Sequence, residues 1–274
     1  MQIPGIRIRY INYAGYEIVL PNGKEIVLDT SVDYTNRSAF TEEDYRAADY
    51  IILSHTHYDH TQNLGYLAKK FGSKVFIGQM SLLAEMRHSD INLDQVYPVA
   101  PGDFFELEDF RLDVFRGKHT PLNDPNNTAN RVTPPTPYFP ESHLASDVWG
   151  SIEYMDYLIT TKENLRIFIT AGGAYETFFT NAIETAREQR PNIVFRQTTS
   201  KYTPEEFART MAGMHPQLVL PLHQDGLAKK GVMTIQEYVD RANAEFERMG
   251  VGTRMFNPEQ HRWYTIGMGI EAAE

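Results

Sequence analysis

An α/β fold with two mixed β-sheets packed face to face between outer helical layers is the class this sequence predicts. Three observations point to it. Runs of short apolar strands occur at the start of the chain and again past its middle, each followed by helices. No Gly/Ser-rich linker or composition break divides the 274 residues, 42% of them hydrophobic, so 1–274 reads as one layered domain. Finally, the apolar run Tyr50-Ile51-Ile52-Leu53 leads directly into Ser54-His55-Thr56-His57-Tyr58-Asp59-His60, which places three imidazoles and a carboxylate where a buried strand reaches the surface.

The elements follow in order. Ile6 to Asn12, Tyr16 to Leu20 and Glu25 to Asp29 read as strands, with Pro21-Asn22-Gly23 turning between the last two. A short helix from Thr41, the strand Tyr50 to Leu53, a helix near Thr61 to Phe71, a strand Lys74 to Ile77 and a helix near Ser81 to Arg87 come next. Phe104 to Leu107 and Phe110 to Phe115 form a strand pair that ends near His119. Residues 120–149 are rich in Pro, Asn and Asp, and a loop of that length within a compact domain is expected to act as a lid; Tyr138, Phe139 and Trp149 favour an ordered one. Strands at Ser151 to Thr160 and Arg166 to Thr170 follow, then a helix through about Arg190 and a strand Ile193 to Phe195. A helix Pro204 to Met214, a strand Leu218 to Leu220, an amphipathic helix Thr234 to Met249 and a strand around Trp263 to Gly267 complete the chain. No repeat with a period of 20–50 residues is visible, although duplication on the scale of half the chain would escape such a search.

Composition narrows the chemistry. With no cysteine, His, Asp and Glu are the only strong metal ligands available. A formal charge of −10 disfavours a phosphate backbone as partner, because Lys69-Lys70 and Lys229-Lys230 are only short basic pairs. No signal-like start and no apolar run long enough to span a bilayer is present, so a cytoplasmic protein without membrane contact is expected. The expected partner is a small-molecule substrate; a homo-oligomer is compatible with the sequence.

His55 and His57 stand two apart, so on extended backbone both side chains leave on one face and can grip one ion. Asp59 and His60 follow after a turn and can point toward a second. Zinc is the first expectation, with manganese or iron as alternatives, at one or two ions per chain; such ions make bound water acidic near neutral pH, which suits hydrolysis. His119 and His223 each follow an apolar strand and qualify as further ligands at a sheet edge. His88, His215 and His261 read as helix-end or surface groups, and His143 lies in the long loop.

His-x-His-x-Asp-His behind a short apolar strand resembles the signature of the metallo-β-lactamase-fold hydrolases, a superfamily of lactonases, thioesterases, phosphodiesterases, sulfatases and nucleases. The resemblance implies an αββα four-layer sandwich, and the order of elements is similar over nearly the whole chain. It also implies that His55, His57 and His119 hold one ion while Asp59, His60 and His223 hold the other, with Asp59 and His223 as catalytic residues. Asp29 corresponds to an early aspartate that supports the site by orienting the metal loop. In layout, and in the Pro221-Leu222-His223 segment behind a helix, the chain looks like the cytoplasmic members that act on small esters or lactones, such as the ascorbate-phosphate lactonase group.

One departure from the family pattern stands out. Two-metal members carry a bridging aspartate in a Gly-Asp-Thr-like segment, and the matching stretch here is Ile169-Thr170-Ala171-Gly172-Gly173, with Gly172 in the aspartate's place. Two close ions without that anion repel each other more strongly, so the second site should be weaker or empty unless another carboxylate replaces it. Asp147, Glu153, Asp156 and Asp225 are the candidates, Asp225 foremost because it lies two residues after His223; each also reads as a solvated surface group. The expected function is a metal-dependent hydrolase of a small ester, lactone or phosphoester. Asp59 would steer the hydroxide, and Lys118, His143, Tyr138 or water would protonate the leaving group. A degenerate, non-hydrolytic metal or ligand sensor is the alternative, and a nuclease a third reading.

Overall fold

The computed structural model describes residues 5–31, 40–119, 149–150, 152–172, 176–198, 202–229 and 231–267. Among these, fourteen strands form two seven-stranded sheets. The first has the order β14-β1-β2-β3-β4-β5-β6, built from β1 (Ile6–Asn12), β2 (Gly15–Val19), β3 (Glu25–Leu28), β4 (Tyr50–Ile52), β5 (Lys74–Gly78), β6 (Val96–Val99) and β14 (Trp263–Ile266). The second has the order β13-β12-β11-β10-β9-β8-β7, from β7 (Phe104–Glu106), β8 (Phe110–Arg116), β9 (Met155–Thr161), β10 (Arg166–Thr170), β11 (Ile193–Gln197), β12 (Leu218–Leu222) and β13 (Arg254–Met255).

Both sheets are mixed in the same way. In the first, the pairs from β14 to β3 are antiparallel and those from β3 to β6 parallel. In the second, β7 to β10 are antiparallel and β10 to β13 parallel. The two sheets thus share one pattern of strand directions, although the first takes its outermost strand, β14, from beyond the second sheet in the chain; side-chain patterning alone does not reveal this. The inner faces meet in a core that includes Ile18, Leu28, Ile52 and Phe76 from the first sheet and Leu112, Tyr157, Ile169 and Phe195 from the second. Outside the first sheet, Val27, Ile51 and Val75 pack on Leu64, Leu67 and Ala68 of helix Leu64–Phe71. Outside the second, Phe168, Val194 and Val219 pack with Phe207 of helix Pro204–Ala212 and Phe246 of helix Ile235–Met249. The result is an αββα sandwich, in which each sheet buries both faces. Helix Ile235–Met249 begins at a Thr234/Glu237 capping box and ends at Gly250 in the left-handed region, φ 68°.

The element boundaries differ from the sequence expectation at places with identifiable causes. β6 is not among the strands read from the sequence; it contains Pro98 and lies at the edge of its sheet, where a missing N–H is tolerated. β12 runs on through Pro221 to Leu222: β13 pairs only with Leu218 and Val219, so Pro221 faces no ladder on that side. A strand from Ser151 was expected, yet β9 starts at Met155, and Glu153 N–H closes a helical turn on the Trp149 carbonyl at 2.9 Å. The helix expected over Thr61 to Phe71 is two helices, Tyr58–Thr61 and Leu64–Phe71. Helix Asp225–Lys229 lies within what reads as a loop. The expected lid, with Tyr138, His143 and Asp147, lies outside the described residues except at Trp149. No helix among the described residues is long and apolar enough to cross a membrane.

One buried charge cluster in the first sheet has a measurable consequence. Arg9 donates to both carboxylate oxygens of Glu17, and Glu25 lies beside this pair with only 5% of its surface exposed. Burial, a hydrogen bond shared with Glu17 and the Glu17 charge push Glu25 up to about 9. Below its ordinary range near 4.5 both folded and unfolded chains hold the proton; between there and about 9 only the folded chain does, so stability falls as pH rises through this window. Glu25→Gln, which keeps a donor toward Glu17, is expected to match the parent at pH 4 and to be more stable by ~1–2 kcal/mol near pH 8. Urea unfolding of both proteins at the two pH values checks this, and an advantage of the variant over the parent that is no larger at pH 8 than at pH 4 would refute it.

Candidate metal centre

The C-terminal ends of β3, β4, β8, β10 and β12 share one edge of the sandwich. β8 and β10 run the same way because both are antiparallel to β9, and β12 is parallel to β10 through β11. Ser54 to His60 therefore leave the first sheet where His119, Gly172 and His223 leave the second.

Two groups of donor atoms form there. One comprises His55, His57 and His119, the other Asp59, His60 and His223, and within each group the donor atoms lie within 4.8 Å of one another. His57 is the N-cap of helix Tyr58–Thr61, at φ −67° and ψ 150°, and His60 N–H returns to the His57 carbonyl at 2.8 Å. That turn brings Asp59 and the far nitrogen of His60 toward His223, while the His60 ring still packs on that of His55 with centroids 3.9 Å apart. Nε2 of His55 lies 3.0 Å from Nδ1 of His57, and Nε2 of His223 lies 3.1 Å from Nε2 of His60.

Asp29 follows β3 at a positive φ of 47° and is fully buried. One of its oxygens accepts from Ser54 N–H at 2.8 Å; the other accepts from Ser54 Oγ at 2.8 Å and receives His60 Nδ1 at 2.8 Å. The carboxylate thus places the His60 proton on Nδ1 and leaves Nε2 with a lone pair facing His223. Ser54 Oγ also lies 3.0 Å from His55 Nδ1, so His55 presents Nε2 in the same manner. The loop is anchored from the opposite sheet, where Tyr157 Oη donates to the Leu53 carbonyl at 2.8 Å and Met155 N–H to the Ser54 carbonyl at 3.0 Å. A Cβ on Gly150 would stand 2.7 Å from His57 N, so only glycine lets that segment approach the loop.

The electrostatics suit a cation. Burial, with His60, His57 and His119 beside it, holds His55 well below the usual imidazole range, and burial with His57 and His60 does the same for His119. Burial and the facing His60 bring His223 down to about 4. Burial alone would raise Asp59, but His60, His223 and the other imidazoles hold it at about 2. At neutral pH His55, His119 and His223 are thus neutral imidazoles and Asp59 a carboxylate, the protonation states that metal ligation requires.

The other candidates lie elsewhere. Asp225 Oδ2 accepts from Tyr10 Oη and, at 3.0 Å, from Tyr13 N–H, and Asp225 belongs to neither donor group. The carboxylate expected to replace the bridging aspartate is turned toward the first sheet. Glu153 accepts from Met80 N–H, Ser81 N–H and Ser81 Oγ at 2.8–3.0 Å and so caps the turn before helix Leu82–Ser89. Asp156 is buried on β9, where burial, opposed by Arg196, pushes it up to about 7. At Gly172 a Cβ would stand 2.4 Å from the Lys118 carbonyl oxygen, a backbone atom directly before His119. Glycine at 172 is thus required by the close approach of the chain that carries His119. Ser54, Tyr13 and Tyr157 were not singled out from the sequence; Ser54 alone carried a signal, as a polar residue between a buried strand and the first histidine.

Comparison with known proteins bears on the fold. Residues 24–134, which include the histidine run and His119, match the β-lactamase superfamily domain. A metallo-β-lactamase-fold protein, YhfI from Bacillus subtilis, superposes with a TM-score of 0.62 over 96% of this chain and 99% of its own at 12% identity. The chain is a metallo-β-lactamase-fold protein. Igni18, a metallo hydrolase from the archaeon Ignicoccus hospitalis KIN4/I, shares the fold with a TM-score of 0.67 at 13% identity, covering 97% of this chain and 99% of that one. A UPF0173 metal-dependent hydrolase of Koribacter versatilis (strain Ellin345) is 29% identical over 75 residues, 27% of this chain and 32% of the relative. The chain therefore matches about a third of that protein's length.

Proposed function

We propose that this metallo-β-lactamase-fold protein is a metal-dependent hydrolase of a small ester, lactone or phosphoester. The observation that carries the reading is the pair of three-donor groups at one sheet edge, His55/His57/His119 and Asp59/His60/His223. The partial similarity to the Koribacter metal-dependent hydrolase supports it. Nitrogen and oxygen donors without thiolate fit zinc, manganese or iron. When bound, such an ion acts as a Lewis acid and makes water acidic enough to react near neutral pH. The protein's part is to keep His55, His119 and His223 neutral by burial, to fix the tautomers of His60 and His55 through Asp29 and Ser54, and to place the Asp59 carboxylate where it can accept a proton or orient the attacking water.

A ligand-sensing role is the second reading, favoured by one observation: Gly172 offers no side chain where a bridging carboxylate is expected, and Asp225 is engaged by Tyr10 and Tyr13. A panel of p-nitrophenyl esters, lactones and bis-phosphodiesters separates the two, assayed with zinc, manganese and iron after metal analysis. Hydrolysis of one class, abolished by chelator, restored by metal and reduced at least ~10³-fold in His57→Ala, is the expected outcome. Chelator-resistant turnover, or stoichiometric metal with silence across the panel, would overturn the hydrolase.

A further inference from the structure

We infer that Tyr10 and Asp225 form a positioning clamp that fixes the His223 imidazole against Asp59 and His60. The inference rests on reading Asp59, His60 and His223 as a metal-binding group.

His223 has a positional problem that the other two do not. Asp59 and His60 sit on a helical turn of the first sheet's loop, whereas His223 arrives from the far sheet, at the end of β12, with φ 55°. Its backbone must be held in the left-handed region and in register with a loop to which it has no covalent proximity. The turn between β1 and β2 provides both. His223 N–H donates to the Tyr13 carbonyl at 2.7 Å. The Tyr13 N–H donates to Asp225 Oδ2 at 3.0 Å, so one residue of the first sheet is bonded on both sides to the His223–Asp225 segment. Tyr13 is itself at φ 49°, and its ring meets the His223 ring edge-on at 5.7 Å.

Tyr10 locks this exchange. Its hydroxyl, on a side chain only 2% exposed, donates to the same Asp225 oxygen. The bond chain runs from Tyr10 through the Asp225 carboxylate to the Tyr13 peptide and on to the His223 backbone. Asp225 thus acts on the ion through His223 and not as a ligand. Gly226 N–H closes the turn on the His223 carbonyl at 3.0 Å, which fixes Asp225 relative to His223.

The test is cobalt and zinc titration of the metal-free full-length protein, with the cobalt d–d spectrum as readout, for wild type, Tyr10→Phe, Asp225→Asn and Tyr50→Phe. Tyr50 is the control: its hydroxyl donates to buried Asp109 at 2.5 Å, in the same kind of bond. The expected result is that Tyr10→Phe and Asp225→Asn weaken the second equivalent by about tenfold, alter its spectrum and leave the first unchanged. Tyr50→Phe is expected to lower the melting temperature and leave both equivalents as in wild type. The clamp is overturned if both variants bind the second ion as wild type does, or if they weaken both ions equally. A wild-type protein that takes up no second equivalent, while His57→Ala abolishes the first, would instead remove the metal group on which the inference depends.

Discussion

Asp29→Asn is expected to remove the ion of the Asp59–His60–His223 group and to spare that of His55, His57 and His119. In the parent the carboxylate accepts from Ser54 N–H, Ser54 Oγ and His60 Nδ1, each at 2.8 Å. An asparagine can keep the first bond through its carbonyl oxygen, but its NH₂ then meets the His60 Nδ1–H, donor against donor. His60 relieves the conflict by moving its proton to Nε2, the atom that faces His223 at 3.1 Å. A protonated Nε2 cannot ligate. Loss of such a supporting partner costs about 10–100-fold in metal affinity, and activity that needs both ions should fall at least as far. The stability cost is ~1–3 kcal/mol, because the site is buried and one donor loses its acceptor. Metal stoichiometry with histidine ¹⁵N shifts would check it; an unchanged second equivalent with His60 still protonated at Nδ1 would sink the tautomer argument.

Gly172→Ala is expected to damage the other group. The new Cβ would stand 2.4 Å from the Lys118 carbonyl oxygen. The obstacle is backbone and not the tip of a flexible side chain, so the strand end carrying His119 must move. Overpacking of this kind costs ~1–3 kcal/mol, and the displacement reaches the His55–His57–His119 set directly. Gly172→Asp, which looks like a repair toward the two-metal pattern, is expected to be worse than alanine, since its carboxylate requires the same Cβ. Thermal melts and first-ion affinity decide the matter. An aspartate variant that melts like wild type and binds its second ion more tightly would show that the close approach yields.

What was legible in the sequence depended on the range of the interaction. Strand and helix types came through almost throughout, because alternation and 3.6-residue periodicity are local properties. The seven residues Ser54 to His60 stood out as a candidate metal loop for the same reason. The division of donors between two groups came from family resemblance, and the donor atoms assemble in those same sets. Residues whose role depends on a contact across the sheets were not legible. Asp225 looked like a spare ligand because it stands two residues from His223, yet its oxygen meets Tyr10 and Tyr13, more than 200 positions away in the chain. Gly172 read as a missing carboxylate, while its environment shows a backbone that tolerates no Cβ. The shared pattern of strand directions in the two sheets was hidden likewise, since hydrogen-bond order leaves no trace in side-chain pattern.

The pairing of β14 with β1, Ile6 opposite Ile266 and Arg9 opposite Trp263, sets a constraint on how the molecule comes into being. The outer side of β1 is covered by a strand that follows the whole of the second sheet in the chain. Until that strand is made, β1 carries a row of unpaired N–H and C=O groups along a segment whose alternate side chains, Ile6 and Ile8, belong to the core. The emerging chain therefore holds its histidine loop and an adhesive strand edge together for most of its synthesis. The arrival of β14 moves that open edge from a seven-residue strand with core side chains to a four-residue strand whose side chains are half-buried or exposed.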